Sequence, residues 1–141
     1  MRVSSRGDYG VRALFDLALR FNQGPIQSRE IAARRNIPEA YLHQVLGALN
    51  RAGLVRSTRG PLGGHELTRP PHEITVWDIL SVLEGSDRRP ESSAQGGTEG
   101  DVVYDVWCHL HSRSVAYLDS ITLAALIERD QSREPVSNYS I

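Results

Sequence analysis

The sequence predicts a mainly α-helical protein that carries one small β-hairpin. Apolar residues recur at helical spacing in several stretches of the 141-residue chain, and Gly or Pro ends most of those stretches. Two short β-compatible runs, residues 54–58 and 65–68, flank a turn rich in Gly and Pro. Residues 28–67 contain two short helices followed by this hairpin, which predicts a winged helix-turn-helix. A further long helix is predicted later in the chain.

The first helix is predicted over residues 9–22, and Gly24 and Pro25 then end it. Seven apolar side chains form a broad stripe along it: Val11, Ala13, Leu14, Phe15, Leu17, Ala18 and Phe21. A stripe of this width indicates burial on more than one side.

The helix-turn-helix begins with a helix over residues 28–35, for which Ser28 is the expected N-cap. Asn36 tolerates the left-handed conformation that a tight turn between helices needs. The second helix is predicted to start at Pro38 and to end at Gly53. Its buried stripe is expected at i, i+3, i+4 and i+7, which are Leu42, Val45, Leu46 and Leu49.

The opposite face of the second helix carries small and hydrogen-bonding side chains: Glu39, Ala40, His43, Gln44, Gly47 and Asn50. An α-helix fits the major groove of DNA, where Gln or Asn can bond adenine and small apolar groups accept a thymine methyl. Arg56 and Arg59 lie at the base and the tip of the hairpin, and an Arg on a loop suits the negative potential of the minor groove. The pattern therefore predicts a protein that reads duplex DNA.

We expect the DNA contacts to come from both helices, the hairpin and the N-terminal arm. Ala40, Tyr41, His43 and Gln44 would face the major groove, and Arg59 would enter the minor groove. Residues 2–6 are interpreted either as a frayed terminus or as an arm that touches phosphates. The complete predicted set is Arg2, Ser5, Ser28, Glu39, Ala40, Tyr41, His43, Gln44, Arg56, Ser57, Thr58, Arg59 and Gly60, with Arg56, Ser57 and Thr58 on phosphates.

The second half predicts a helix over residues 74–83, capped by Thr75 with Asp78 and closed by Gly85. Residues 86–100 are polar and aperiodic, so we expect a flexible loop. A long helix follows over residues 101–119, then a short last turn capped by Thr122. The predicted organisation is a DNA-binding domain at 1–85, the loop at 86–100, a dimerisation helix and closing turn at 101–128, and a tail at 129–141.

The long helix carries more apolar surface than so small a chain can cover. The residues concerned are Val103, Val106, Trp107, Leu110 and Tyr117. One interpretation is that this helix packs back on the first helix. We favour a two-fold homodimer, because a symmetric partner would bury the stripe and would match DNA half-sites about one helical turn apart.

The charge distribution agrees with a basic, DNA-binding N-terminal half joined to an acidic C-terminal half that has another role. The first 70 residues hold 11 Arg against 5 acidic residues, and the remainder holds 5 Arg against 12 acidic residues. No apolar run approaches membrane-spanning length and the start is too polar for a signal peptide, so a cytoplasmic protein is expected. With a mass of 15.7 kDa, the chain should form one domain or one domain with an appendage.

Metal-ligand candidates are few. The single cysteine, Cys108, excludes an intrachain disulfide and lies at i, i+3 from His111. Two ligands per chain cannot complete a tetrahedral site, although a dimer could supply four. The alternative, which we favour, is that Cys108 is a buried thiol beside solvated imidazoles. No cofactor is therefore predicted.

Four segments together resemble the Rrf2 family of bacterial transcription regulators, the group of IscR, NsrR and CymR. They are MRVSSRGDYGVRALFDLAL, YLHQVLGALNRAGLVRSTRGPLGGHEL, EITVWDILSVLEG and DVWCHLHSRSVAYLDSITLAALIE. The resemblance covers nearly the whole chain except residues 86–100 and the last dozen. It implies a homodimeric, sequence-specific regulator of transcription, and we expect a repressor that acts on pseudo-palindromic promoter DNA.

The resemblance also bears on an iron–sulfur cluster. Cluster-binding members use three cysteines in and after the loop, and some add an acid or a His from the first helix. Here Asp8 stands at the acidic position, Arg12 at the position of the His, and Asp101 where the last loop cysteine would be. The chain is therefore more similar to the cluster-free branch that includes CymR, some members of which act with a metabolic enzyme as co-regulator. An atypical metal- or cluster-sensing regulator, with Asp8, Cys108 and His111 as weak candidates, stays open.

Two further points concern function. Cluster-binding relatives often have Glu where this chain has His43, which implies a different preferred operator. A protein-interaction module that binds a metabolic enzyme is the alternative to a DNA-binding regulator. An enzyme is disfavoured, because the sequence offers no nucleophile–base pairing, no paired carboxylates in a Gly-rich context and no phosphate loop.

Overall fold

The computed structural model describes residues 2–85 and 101–133. Within them lie α1 (Ser5–Leu19), α2 (Ser28–Arg35), α3 (Glu39–Arg51), β1 (Val55–Thr58), β2 (Gly64–Leu67), a 3-10 turn (Pro71–Glu73), α4 (Val76–Glu84), α5 (Val102–Asp119) and α6 (Leu123–Ser132). The predicted mainly α architecture with one antiparallel hairpin is confirmed. The predicted flexible loop at 86–100 and most of the predicted tail lie outside the described residues.

The starts of α1 and α4 and the N-cap of α2 differ from the sequence expectations. α1 begins at Ser5 rather than residue 9, because the Ser4 hydroxyl accepts from Gly7 N at 3.1 Å. In α2 the N-cap is Gln27, whose carbonyl accepts from two amides of the first turn, so the prediction of Ser28 as cap is wrong. α4 begins at Val76 rather than residue 74, because Thr75 is the extended N-cap.

Two helix ends also differ from the prediction. α1 stops at Leu19 rather than residue 22, and Asn22 beyond it has a left-handed φ of 68°. α6 is a ten-residue helix rather than a short last turn. It runs through residues 129–132, so the predicted start of the tail at residue 129 is wrong. Thr122 caps α6 as expected, with its hydroxyl accepting from Ala125 N at 3.0 Å.

The core forms between α1, α3 and α4. The expected stripe of α3, Leu42, Val45, Leu46 and Leu49, is buried against the apolar side of α1. α4 approaches α1 closely at Gly10, where an added Cβ would lie 2.1 Å from a methyl carbon of Leu83. The first helix is thus buried on more than one side, as its broad apolar stripe predicted.

The hairpin is fixed to the rest of the subunit at its buried base and along β2. Its register pairs Val55 with Leu67 at the buried base and Ser57 with His65 further out. His65 also exchanges both backbone hydrogen bonds with Ile26, at 2.9 and 2.8 Å. The wing, defined as residues 55–67, is therefore joined to the segment that leads into α2.

The C-terminal helices attach to the N-terminal part at the start of α4 and through the packing of α6 on α1. Val76 N donates to Ile121 O at 2.8 Å, and Leu123 N donates to Ile74 O at 2.9 Å. Leu123 is fully buried in the main core, whereas α5 contains no buried residue. Among the helices of the described ranges, none is long and apolar enough to cross a bilayer.

Candidate nucleic-acid interface

α3 presents the polar face that the sequence predicted. Glu39, Ala40, His43 and Gln44 are exposed on it. The His43 imidazole lies 3.8 Å from the Glu39 carboxylate one turn earlier, a pairing that is ionic only when the histidine is protonated. A helix with small, amide and imidazole groups on its free side can form hydrogen bonds to base edges in the major groove.

Tyr41 occupies a different place from the other predicted major-groove residues. Its side chain is half-buried, and its ring packs edge-on against Tyr9 of α1 with centroids 5.3 Å apart. This contact joins the first turn of α3 to α1. Tyr41 therefore contributes to the placement of α3 in addition to any contact with DNA.

The turn between α2 and α3 has the predicted geometry. Asn36 ends α2 in the left-handed conformation, with φ 53° and ψ 51°. Ile37 follows as a buried residue, and its amide donates to Ala32 O at 3.0 Å. The turn thus fixes the angle at which α3 leaves α2.

A buried carboxylate that sequence reasoning missed connects α1 to α2. The Asp16 side chain is 0% exposed and meets three guanidinium groups. Arg34 forms a bidentate pair with it at 3.1 and 2.8 Å, and the shortest distances from Arg35 and Arg20 are 2.9 and 3.1 Å. A lone Asp inside the apolar stripe of α1, together with the Arg34-Arg35 doublet, was the available signal.

The electrostatics of this cluster favour its charged form. Burial raises the pKa of Asp16, but the hydrogen bonds from Arg34 and Arg35 and the charges of Arg34 and Arg20 outweigh it, so the pKa lies below its ordinary value. The same contact raises the pKa of Arg34. Arg35 also stacks over the Phe15 ring at 5.0 Å. The cluster holds α2, and through it α3, against α1.

The inner face of the wing is linked to α3 by a short polar chain. Asn50 at the end of α3 donates through Nδ2 to Ser57 Oγ at 3.0 Å, and Ser57 Oγ lies 2.8 Å from His65 Nδ1. Burial lowers the pKa of His65, and the charge of His43 lowers it further. Ser57, which was predicted to touch phosphate, thus already has two protein partners.

The outer face and the tip of the wing carry the predicted arginines. Arg56 pairs with Glu66 on the opposite strand at 3.1 Å yet stays exposed. Arg59 and Thr58 are exposed, and Gly60 at the tip has a φ of 108° that favours glycine. Gln27, the N-cap of α2, donates to Pro61 O at 3.4 Å, so the tip is also joined to α2.

The N-terminal arm is anchored at Ser4. Ser4 donates to the Glu84 carboxylate from its amide at 2.9 Å and also from its hydroxyl, which fastens the start of α1 to the end of α4. Ser5 and Arg6 lie in α1, so the interpretation of residues 2–6 as a frayed terminus is wrong for these three residues. Arg2 and Ser5 are exposed, and Ser28 is half-buried at the start of α2.

The weak metal candidates are not brought together. The Asp8 carboxylate pairs with Arg12 at 3.0 Å, and Asp101 caps α5 by accepting from Val103 N at 3.0 Å. Cys108 and His111 are half-buried, and the His111 ring packs edge-on to Trp77 at 6.5 Å. In residues 2–85 and 101–133, no three His, Cys, Asp or Glu side chains are placed to share a metal ion.

The apolar stripe of α5 is open to solvent. All five predicted dimerisation residues are exposed: Val103, Val106, Trp107, Leu110 and Tyr117. α5 packs against α4 through its other side, where Leu118 contacts a small apolar cluster. Packing of α5 on α1, which was the alternative, is not a principal contact of the described residues.

Comparisons with known proteins place these features in a family. The Rrf2 profile, described as "Iron-dependent Transcriptional regulator", matches residues 3–129. The HTH-type transcriptional regulator IscR of Aliivibrio salmonicida is 35% identical over 144 residues, which cover 100% of this chain and 86% of that protein.

Two solved structures are also similar. IscR of T. potens has a TM-score of 0.80 at 39% identity, covering 96% of this chain and 93% of that one. CymR of B. subtilis, described as the global cysteine regulator, has a TM-score of 0.79 at 34% identity, covering 92% and 98%. The relatives are regulators of transcription, which confirms that this chain is not an enzyme.

Proposed function

We propose that this chain, which belongs to the Rrf2 family of transcriptional regulators, is a homodimeric repressor of pseudo-palindromic promoters that works without an iron–sulfur cluster. The observation that carries the proposal is the uncovered apolar stripe of α5, on the same subunit as an exposed polar recognition helix. The first feature supports a symmetric partner, and the second supports a DNA half-site.

DNA recognition is divided between α3 and the wing. His43 and Gln44 offer hydrogen-bonding groups to base edges, and Ala40 offers a methyl group to thymine. Arg59 projects from the tip, where a minor groove narrowed by A·T pairs attracts a guanidinium most strongly. Arg56 and Thr58 on the exposed wing, Arg2 before α1 and Ser5 at the start of α1 would add phosphate contacts that fix the register.

Dimerisation is proposed because α5 lacks a partner that covers its apolar stripe. An 18-residue helix that buries no residue gains little from its own subunit, since most helical stability in proteins comes from tertiary packing of an apolar face. Val103, Val106 and Leu110 lie at i, i+3 and i+7, so a second α5 related by a two-fold axis would cover the stripe. Two recognition helices would then meet successive half-sites.

Repression needs only that the dimer occupies the promoter. A dimer spread over two half-sites covers more than one helical turn of DNA and competes with polymerase for it. The test is transcription in vitro from a promoter that the protein binds, with purified polymerase and increasing dimer. We expect transcript to fall as the site fills, and a rise in transcript would contradict the repressor assignment.

The donor chemistry does not fit an iron–sulfur cluster. Clusters are held mainly by cysteine thiolates, and this chain has one cysteine in its whole sequence. That thiol lies half-buried in α5, while the carboxylates of Asp8 and Asp101 are engaged with Arg12 and with the backbone of α5. We expect anaerobically purified protein to be colourless and free of iron, yet still to shift promoter DNA. A visible charge-transfer band with bound iron would overturn this part of the proposal.

The decisive experiment measures oligomeric state and DNA affinity together. Light scattering after size-exclusion chromatography is expected to give twice the mass of 15.7 kDa. Fluorescence anisotropy on promoter duplexes should show affinity that falls steeply with salt, because phosphate contacts release counterions. A monomer at micromolar concentration, or affinity that salt leaves unchanged, would contradict the proposal and favour a protein-interaction module instead.

A further inference from the structure

The tip of the wing carries one apolar side chain that nothing in its own subunit covers. Leu62 is 91% exposed, more than any other large hydrophobic residue in the described parts of the chain. Within residues 2–85 the other exposed residue of this kind is Val3, at 50%. All remaining examples lie on α5. The leucine therefore stands apart from the stripe to which the dimer is assigned.

The backbone beneath Leu62 is held in a defined turn. Gly63 N donates to Gly60 O at 2.9 Å, and a Cβ on Gly63 would lie 2.1 Å from Thr58 O. A Cβ on Gly64 would likewise lie 2.5 Å from Ile26 O. Because the tip is tightly folded, and Pro61 O accepts from Gln27, the protein loses little backbone freedom when Leu62 is buried by a partner.

The surroundings of the tip favour DNA as that partner. Arg59 precedes Leu62 by three residues and Arg56 lies on the adjoining strand, both exposed within the basic half of the chain. This charge is complementary to a phosphate backbone. In proteins that enter the minor groove, an apolar side chain beside such arginines can wedge between base steps, unstack them and kink the duplex.

We propose that Leu62 is an apolar wedge that packs into a base step of the minor groove and bends the DNA at the outer edge of each half-site. The inference rests on the proposed DNA-binding function and adds a second kind of sequence selection to it. Pyrimidine–purine steps such as TA unstack easily, whereas A-tracts are stiff. The wing would thus select a deformable step through Leu62, without hydrogen bonds to its bases.

The test uses duplexes that the full-length protein selects from a random library, each made with either TA or AA at the wing position. Leu62→Ala is compared with Leu62→Met, which keeps an apolar side chain of similar volume. We expect the alanine variant to lose about 10-fold in affinity on TA duplexes and much less on AA duplexes. The bend, measured by energy transfer between the duplex ends, should decrease in parallel, and the methionine variant should retain both properties.

Thermal unfolding provides the check on folding, and both substitutions should leave the unfolding temperature unchanged because the Leu62 side chain is 91% exposed. Equal affinity and equal bend for the wild type and Leu62→Ala would overturn the wedge while leaving DNA binding intact. An equal loss on TA and AA duplexes with an unchanged bend would also overturn it, because Leu62 would then make only a general contact. Failure of the wild type to select any duplex would instead overturn the proposed function itself.

Discussion

α3 and α5 are both amphipathic helices, yet they differ completely in what covers them. α3 has 13 residues and buries five of them, whereas α5 has 18 residues and buries none. The stripe of α3 is covered by α1 and α4 of the same chain, while the stripe of α5 faces solvent. The same helical periodicity thus marks a core in one helix and an unpartnered surface in the other.

The difference shows that the apolar stripe of α3 is covered within its own subunit and that the stripe of α5 is not. Residues 2–85 have buried apolar side chains in all four helices and both strands. α5 is attached through its inner side and through the hydrogen bond from Thr75 Oγ1 to Asp119 at 3.1 Å. The proposed DNA contacts and the proposed dimer contacts therefore lie on separate surfaces, and substitutions should affect them separately.

The largest effect is expected from charge placed in the stripe of α5. The double variant Val106→Asp, Leu110→Asp should dissociate the dimer, because two carboxylates would be buried at the symmetric interface. Affinity for a two-half-site operator should fall by about 1000-fold, since the second half-site would no longer be held at high effective concentration. Light scattering and anisotropy measure the two effects.

Ser112→Asp provides the matched control, because Ser112 is exposed on α5 outside the stripe. This variant should leave the mass of the dimer and its affinity for the operator unchanged. A double variant that remains dimeric would show that the subunits join through another surface.

A smaller effect is expected from Asp16→Asn, which tests how much the buried ion-pair cluster between α1 and α2 contributes to stability. Removing the carboxylate charge leaves three guanidiniums without their counterion, so the free energy of unfolding should decrease by about 3 kcal/mol, the lower end for broken buried pairs. The lower end is expected because Arg20, Arg34 and Arg35 are 26–32% exposed and can regain water. Urea unfolding measures the change.

The control is Asp8→Asn on the same helix. It breaks the exposed pair of Asp8 with Arg12, which has the same i, i+4 spacing as the buried pair of Asp16 with Arg20. Its cost should stay within about 1 kcal/mol. Similar losses for the two variants would mean that burial adds nothing to the Asp16 cluster.

Arg59→Ala tests the proposed minor-groove contact alone, and the change in free energy should be smaller than for the two preceding test variants. We expect a loss of about 1–2 kcal/mol in operator affinity, greatest where A·T pairs narrow the minor groove under the wing. Dimer mass and unfolding should not change. Arg69→Ala, which removes another exposed arginine beyond the wing, is the control. Equal losses on A·T-rich and G·C-rich flanks would argue against minor-groove reading.

The smallest effect concerns pH. The pKa of His65 is lowered by burial and by the charge of His43, so the unfolded chain takes up a proton more readily than the folded chain. The stabilisation from neutral His65 is therefore present above the ordinary value of 6.5 and is lost as the pH falls below it. His65→Asn should flatten the fall in unfolding free energy between pH 7 and 5, whereas His72→Asn, at an exposed site, should not.

Local signals predicted most of the fold. The stripe of α3, the left-handed Asn36, the capping pair of Thr75 with Asp78 and the hairpin all follow from short-range spacing, and the structure confirms them. The start of α1 was misplaced because Ser4, just outside the periodic run, accepts a hydrogen bond from Gly7 N, and the cap of α2 was misplaced because the Gln27 carbonyl accepts from its first turn. Periodicity does not report such caps.

Contacts between distant residues could not be predicted. Asp16 and Arg34 are 18 positions apart, and Ser4 and Glu84 are 80 positions apart. Their meeting depends on how helices cross, which one sequence does not specify. The exposed site residues were chosen by chemistry on a helix face, so their accessibility was predictable. The engagement of Ser57 with Asn50 and His65 was not, because it requires the wing to fold back on α3.

The paired backbone hydrogen bonds between His65 and Ile26 have a mechanical consequence. With the contact from Gln27 to Pro61, they join the wing to the segment that leads into α2, and the chain from Asn50 through Ser57 to His65 joins it to α3. In the proposed complex, a change in the distance between the two grooves that one subunit would occupy would then have to be absorbed by the DNA. In the proposed dimer, an effector that changes the choice of promoter would act most easily by tilting one subunit against the other, because hydrogen bonds already fix the wing relative to α3 within each subunit.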